Sequence, residues 1–110
     1  ALAAMRRTDV IWLKTVASPL DISAFAAHHK ATPLAASLNP ATMTARLATL
    51  PQTHYAGARD EIVPPAINRS FLVRMGETRC IRLEELPDVS HDDGWEKAWA
   101  RLAAETPACQ

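Results

Sequence analysis

The sequence predicts an α/β domain, a three-stranded parallel sheet with flanking helices, and three observations carry that reading. Strand-like runs at residues 10–17, 52–58 and 78–86 alternate with segments of helical period. The first run, VIWLKTVA, is β-branched and apolar on both faces, as a parallel strand covered on both sides requires. Prolines fall at the ends of these segments or between them rather than inside them. Strands that alternate with helices are joined by right-handed crossovers and lie parallel.

The first strand is bounded by Asp9 and by Ser18-Pro19. Residues 22 to 30 form a short helix whose shared face holds Ile22, Phe25 and Ala26. A second helix opens with Asn39 as N-cap and Pro40 at its first position, and Pro51 stops it. Met43, Leu47 and Leu50 make its apolar stripe. QTHYAGA is the next strand. Pro65 starts a third helix with Ile67, Phe71, Leu72 and Met75 on one face, and Gly76 ends it. TRCIRLEEL alternates apolar and charged residues up to Pro87, the pattern of an edge strand. The last helix follows Asp92-Asp93, which can cap it, and buries Trp95, Trp99 and Leu102 at i, i+4 and i+7.

Composition excludes several classes. Lys+Arg and Asp+Glu stand at 12 each, so no basic stripe favours nucleic acid. No apolar run approaches the ~20 residues of a membrane span. ALAAMRRTDV has its arginines after its apolar residues, the wrong order for a signal peptide, and the chain lacks an initiating Met. It reads as part of something longer. Cys80 and Cys109 match no zinc spacing, and the four histidines supply none. The expectation for the cysteines is a buried strand thiol and a loose tail thiol. The alternative is a disulfide in an oxidising compartment.

In parallel sheets, ligand and catalytic groups gather beyond the carboxyl ends of the strands, where Asp21, Asp60 and His91 fall. A buried carboxylate that accepts a hydrogen bond from a histidine fixes the ring's tautomer and stabilises the imidazolium that forms when the ring takes a proton. Such a carboxylate needs a rigid bend, because small misplacement costs rate steeply. GARDEIVPP offers one, and SHDDGW places His91 on a loop. Taken singly, an Asp after a strand is most often a turn residue and a loop His is most often merely exposed.

Gly57-Ala58-Arg59-Asp60-Glu61-Ile62-Val63-Pro64 resembles the G-x-x-D-x-x-V-P element that carries the triad acid after the seventh strand of α/β-hydrolases. His91 in DVSHDDGWEKAW resembles that family's histidine, which follows the eighth strand and precedes the last helix; Ser90 stands where the family usually has Gly. VIWLKTVASPLD is similar to its sixth strand, and residues 22–50 fall where its variable cap is inserted. The resemblance spans essentially all of residues 1–110, as the C-terminal portion of the fold. It implies a serine hydrolase acting on a small-molecule ester, thioester or amide, with His91 as general base and acid, Asp60 as its partner and no cofactor. The nucleophile elbow G-x-S-x-G is absent from these residues. Ser18, Ser23, Ser37, Ser70 and Ser90 read as capping, helix or loop residues.

Asp21 is the rival acid, since some hydrolases carry theirs after the sixth strand; the complete motif favours Asp60. His28-His29-Lys30 reads as a solvated face rather than a metal site. Arg69, Arg74, Arg79 and Arg82 with Glu77, Glu84 and Glu85 read as a solvated surface of mixed sign, and Trp12, Trp95 and Trp99 as core. The alternative to a hydrolase segment is a non-catalytic folding or interaction module, inactive alone. A small independent α/β binding protein is a third reading. The apolar strand 10–17, with Lys14 as its one charge, is expected to pair with a second copy or with an upstream half-sheet.

Overall fold

A computed structural model describes residues 9–29, 47–76 and 78–110 of the chain. Within them the order is β1 (Leu13–Val16), α1 (Ile22–His28), β2 (Gln52–Gly57), α2 (Pro65–Met75), β3 (Ile81–Leu86) and α3 (Trp95–Ala104). The sheet runs β1-β2-β3 and is parallel throughout. The arrangement is therefore α/β, three parallel strands with three helices among the described residues. Most of the helix expected from Asn39 lies outside them. Its end is described, with Leu47 buried in the core and Leu50 packed against it.

β2 is buried along its whole length, because it has a strand on each side and helices above and below. His54 meets the Phe71 ring of α2 edge-on at 5.5 Å, whereas the next residue, Tyr55, packs with Leu86, Val89 and Leu102. Alternation along the strand thus sends His54 toward α2 and Tyr55 toward α3. Two apolar clusters result. Leu20, Leu47, Phe71 and Met75 fill one side, and Tyr55, Leu86, Val89 and Leu102 the other.

The central strand is more polar than its place suggests. Gln52 and His54 are buried and their polar atoms close a chain of hydrogen bonds. Gln52 donates to the carbonyls of Leu47 (2.6 Å) and Leu50 (3.1 Å). That orientation turns its side-chain oxygen to accept from His54 Nε2 at 2.7 Å. Nδ1 then accepts from the Thr15 hydroxyl of β1 at 2.6 Å. Each group is satisfied, as burial demands, and burial holds the His54 pKa down at about 3.

β1 is shorter than the run that predicts it. Ile11 is 76% exposed and Trp12 40% exposed, and neither belongs to the strand. All four β1 residues are only half-buried, so the expected cover on both sides is partial. β1 has one neighbour among the described residues, β2. Lys14 turns from the edge to donate to the Leu102 carbonyl in the last turn of α3, at 2.6 Å, where a cation also suits the helix dipole.

α2 starts at Pro65 and stops at Gly76, whose φ of 73° an L side chain resists. α3 departs from expectation at its N-cap and in the middle of its stripe. Its N-cap is Gly94, at φ 95°, and no side chain caps it. Trp99 is 55% exposed, while Leu102 is fully buried. The face of α3 that packs on the sheet runs through Trp95, Ala98 and Leu102, which leaves Trp99 on its flank.

Cys80 and Cys109 form a disulfide, not the two free thiols expected. It fastens the C-terminal tail beside the start of β3, where the Gln110 amide also donates to the Arg79 carbonyl at 2.8 Å. Tyr55 donates to Glu105 at 2.6 Å below the tail. Burial and that carboxylate push the Tyr55 hydroxyl up to about 12. No helix among the described residues is long and apolar enough to cross a membrane.

Candidate functional site

Parallel pairing continues past the strand ends and brings two loops together. Gly57 stands opposite Leu86 in the β2–β3 register. Beyond it, the Ala58 amide donates to the Leu86 carbonyl and the Arg59 amide to the Val89 carbonyl, both at 2.9 Å. The loop carrying Asp60 is thereby zipped to the loop carrying His91. Gly57 is needed for the close approach: a Cβ there would sit 2.4 Å from the Val89 carbonyl oxygen. Its φ is not positive, unlike those of Gly76 and Gly94, so the demand is for space rather than backbone freedom.

Asp60 and His91, 31 residues apart, meet at the end of this zipper: Nδ1 lies 2.9 Å from Oδ2. The Asp60 side chain is fully buried and the His91 side chain 33% exposed. A carboxylate only accepts, so Nδ1 carries the hydrogen and the neutral ring presents its lone pair at Nε2. The other carboxylate oxygen accepts from the amides of Ile62 (2.8 Å) and Val63 (2.7 Å). The chain thus turns tightly around its own acid. Val63 is buried and Pro64-Pro65 lead directly into α2. His91 is held from behind, because Trp95 Nε1 donates to its carbonyl at 3.0 Å. Ser90 closes the turn by accepting from the Asp93 amide at 3.2 Å.

Nε2 of His91 makes no hydrogen bond among the described residues, so the ring can exchange a proton on its outer side. Ser18, Ser23, Ser70 and Ser90 are described, and Ser37 lies outside. Ser90 is the turn acceptor just named, and Ser70 donates to Asp21 at 2.6 Å.

Asp21 is buried and serves as the N-cap of α1, accepting from the Ala24 amide at 3.1 Å. Its Oδ2 also faces Arg74 Nε at 3.0 Å. This rival acid ties α1 to α2, while Asp60 holds the His91 ring.

His28 and His29, read from the sequence as a solvated face, both reach the acid loop. His28 Nε2 lies 3.0 Å from the Glu61 carbonyl and His29 Nε2 2.6 Å from the Ile62 carbonyl. No local pattern signals this, because the partners are 33 residues away. Among the described residues, no group of three or more His, Cys, Asp and Glu is placed to hold a metal.

Of the arginines and acids read as a solvated surface, Arg69 pairs with Glu85 and Arg82 with Glu84; Glu77 lies outside the described residues. Arg101 bridges Glu84 and Glu105. Hydrogen bonding from Arg69 holds the Glu85 carboxyl below its ordinary range. A surface depression of about 430 Å³ lined by Glu84, Asp88, Gly94, Lys97 and Arg101 lies beside the His91 loop and includes neither member of the pair.

Comparison with protein-family profiles, curated protein sequences and solved structures finds no match to this chain.

Proposed function

We propose that these residues supply the acid and the histidine of a serine-hydrolase triad of the α/β-hydrolase type, with the nucleophile donated from outside residues 1–110. The observation that carries the reading is the buried Asp60 carboxylate. One of its oxygens is fixed by two backbone amides and the other orients His91, within a run that resembles the family's acid element. A serine hydroxyl set against Nε2 would lose its proton to His91 as its oxygen attacks the carbonyl of an ester, thioester or amide. The imidazolium, stabilised by Asp60, would return that proton to the leaving group as the acyl-enzyme forms. Water, deprotonated by the same nitrogen, would then attack the acyl carbon. As the acyl–serine bond breaks, the imidazolium would return the proton to the serine oxygen, releasing the acid and restoring the site. No step calls for a cofactor.

His91→Ala, measured in the protein that carries the serine, should cut hydrolysis of an aryl ester by roughly 10⁴-fold. Near-normal turnover would sink the assignment. Asp60→Asn should lose turnover while Asp21→Asn affects stability instead; the reverse order would make Asp21 the acid.

A second reading, a non-catalytic folding or interaction module, is favoured by one observation. Ile11 and Trp12 are exposed beside a strand with a single described neighbour, a surface suited to a second copy or to a half-sheet from elsewhere. A fluorophosphonate probe separates the arguments. Labelling of residues 1–110 alone at any serine would contradict both this reading and the absence of a nucleophile.

A further inference from the structure

The two bonds from α1 to the acid loop fall on the same peptide units that hold Asp60. The Glu61–Ile62 unit gives its N–H to Asp60 Oδ1 at 2.8 Å and its C=O to His28 at 3.0 Å. The Ile62–Val63 unit gives its N–H to the same oxygen at 2.7 Å and its C=O to His29 at 2.6 Å. A carbonyl only accepts, so both rings carry hydrogen on Nε2. Each peptide is gripped at both ends, with its dipole aimed at the carboxylate. Donation to a carbonyl polarises its peptide and strengthens the bond made by the N–H at the other end.

The histidines are themselves held. His29 stacks on Phe25 with ring centres 4.7 Å apart, and His28 meets His29 edge-on at 4.8 Å. α1 is fixed at its other end by Asp21, which caps the helix and binds Ser70 and Arg74 of α2. A continuous chain of contacts runs from α2 through Asp21 and α1 to the two carbonyls, and through them to Asp60.

From this geometry we infer that His28 and His29 are positioning residues for Asp60, each setting one of the two peptide dipoles that hold its carboxylate against His91. Their description as acting on a catalytic acid rests on the proposed hydrolase function; their grip on the loop does not. The arrangement also assigns work to α1, which connects the loop's rigidity to the insertion between β1 and β2. Whatever moves α1 would be felt at the acid.

The pairing is one ring to one peptide unit, which makes it testable residue by residue. In ¹⁵N-labelled chain, His28→Phe should move the Ile62 amide proton upfield and speed its exchange roughly three- to tenfold. His29→Phe should do the same to Val63, with the other amide less affected. Phe keeps ring volume and the stack on Phe25 but has no donor. His28→Gln and His29→Gln, which retain a donor of similar reach, should restore both signals. Asn, too short to reach, should not, and this Gln–Asn comparison serves if a Phe variant does not fold. The β2 amides are the folding control. Unchanged Ile62 and Val63 amides in the Phe and Asn variants, or the same change at both amides from either substitution, would overturn the inference. In the serine-bearing protein, His29→Phe should lower kcat with KM unchanged. Absence of any hydrolase activity would remove the catalytic role of Asp60 and leave the amide result standing. Unchanged amides would remove the brace whatever the activity.

Discussion

Gly57→Ala tests how tightly the site depends on the zipper between its two loops. The added methyl would lie 2.4 Å from the Val89 carbonyl oxygen, 2.9 Å from the Val89 carbonyl carbon and 3.1 Å from the Ser90 carbonyl oxygen. All three are backbone atoms, so no side chain can swing aside. Restoring an ordinary carbon–oxygen approach of about 3.3 Å requires the loops to part by roughly 0.9 Å. That movement stretches the Arg59–Val89 bond, now 2.9 Å, and pulls His91 from Asp60. Overpacking of this kind costs about 1–3 kcal/mol, and loss of the hydrogen bond adds about 1 kcal/mol. At an unfolding entropy of ~2.1 cal/mol/K per residue, a total of about 2–4 kcal/mol lowers Tm by roughly 9–17 °C. Thermal unfolding followed by circular dichroism reads that shift, and the His91 ring signals in NMR read the local displacement. Gly76→Ala is the matched control. It has open space around the new methyl but a φ of 73°, so it should cost stability through backbone strain and leave the His91 signals in place. A Gly57→Ala chain that melts within about 3 °C of the original, with His91 unmoved, would show that the two loops have room for the methyl and that the zipper does not set the site.

Other tests follow from buried groups and the sheet edge. His54 is held neutral in the fold, with a pKa near 3 against 6.5 for the free side chain. The unfolded chain therefore binds the proton first, and this contribution, complete above pH 6.5, is lost as pH falls toward 3. Stability should drop by about 2 kcal/mol between pH 7.5 and pH 5 from this group; urea melts of His54→Gln showing the same slope as the parent would assign the loss elsewhere. Reducing the Cys80–Cys109 disulfide, whose residues are 29 apart, should cost roughly 3–4 kcal/mol through the entropy of the opened loop. Identical urea midpoints with and without reductant would show that the tail holds without it. Ile11→Lys should suppress any concentration-dependent rise in mass seen by light scattering. A single-chain mass at all concentrations, unaltered by the substitution, would show that the β1 edge is protected.

Much of this protein is legible along the chain because its signals are local. Pro65 and Gly76 bound α2 through their own backbone preferences, and QTHYAG and IRLEEL declare strands by composition and flanks. The parallel order follows from strands alternating with helices. The Asp60 bend was also readable, since Asp60 accepts from the amides of Ile62 and Val63 within its own run and Pro64 follows at once. The need for Gly57, by contrast, is set by the distant Val89 carbonyl. The rest was decided by which elements meet. Gln52 and His54 are polar residues that burial would penalise, and only partners on β1 and the 47–50 turn make them tolerable at the centre of the sheet. Trp99 has the helical spacing of a core residue, but the packed face of α3 runs through Trp95, Ala98 and Leu102 and leaves it on the flank. Asp21 follows a strand as a triad acid might, yet α2 supplies Ser70 and Arg74 to engage it. The cysteines pair because the tail returns to the start of β3. His28 and His29 look like a solvated face until the acid loop arrives beneath them. A hydrogen bond forms at its full strength only at contact distance, and sequence separation says nothing of that distance, so these partnerships exist only once the fold has closed.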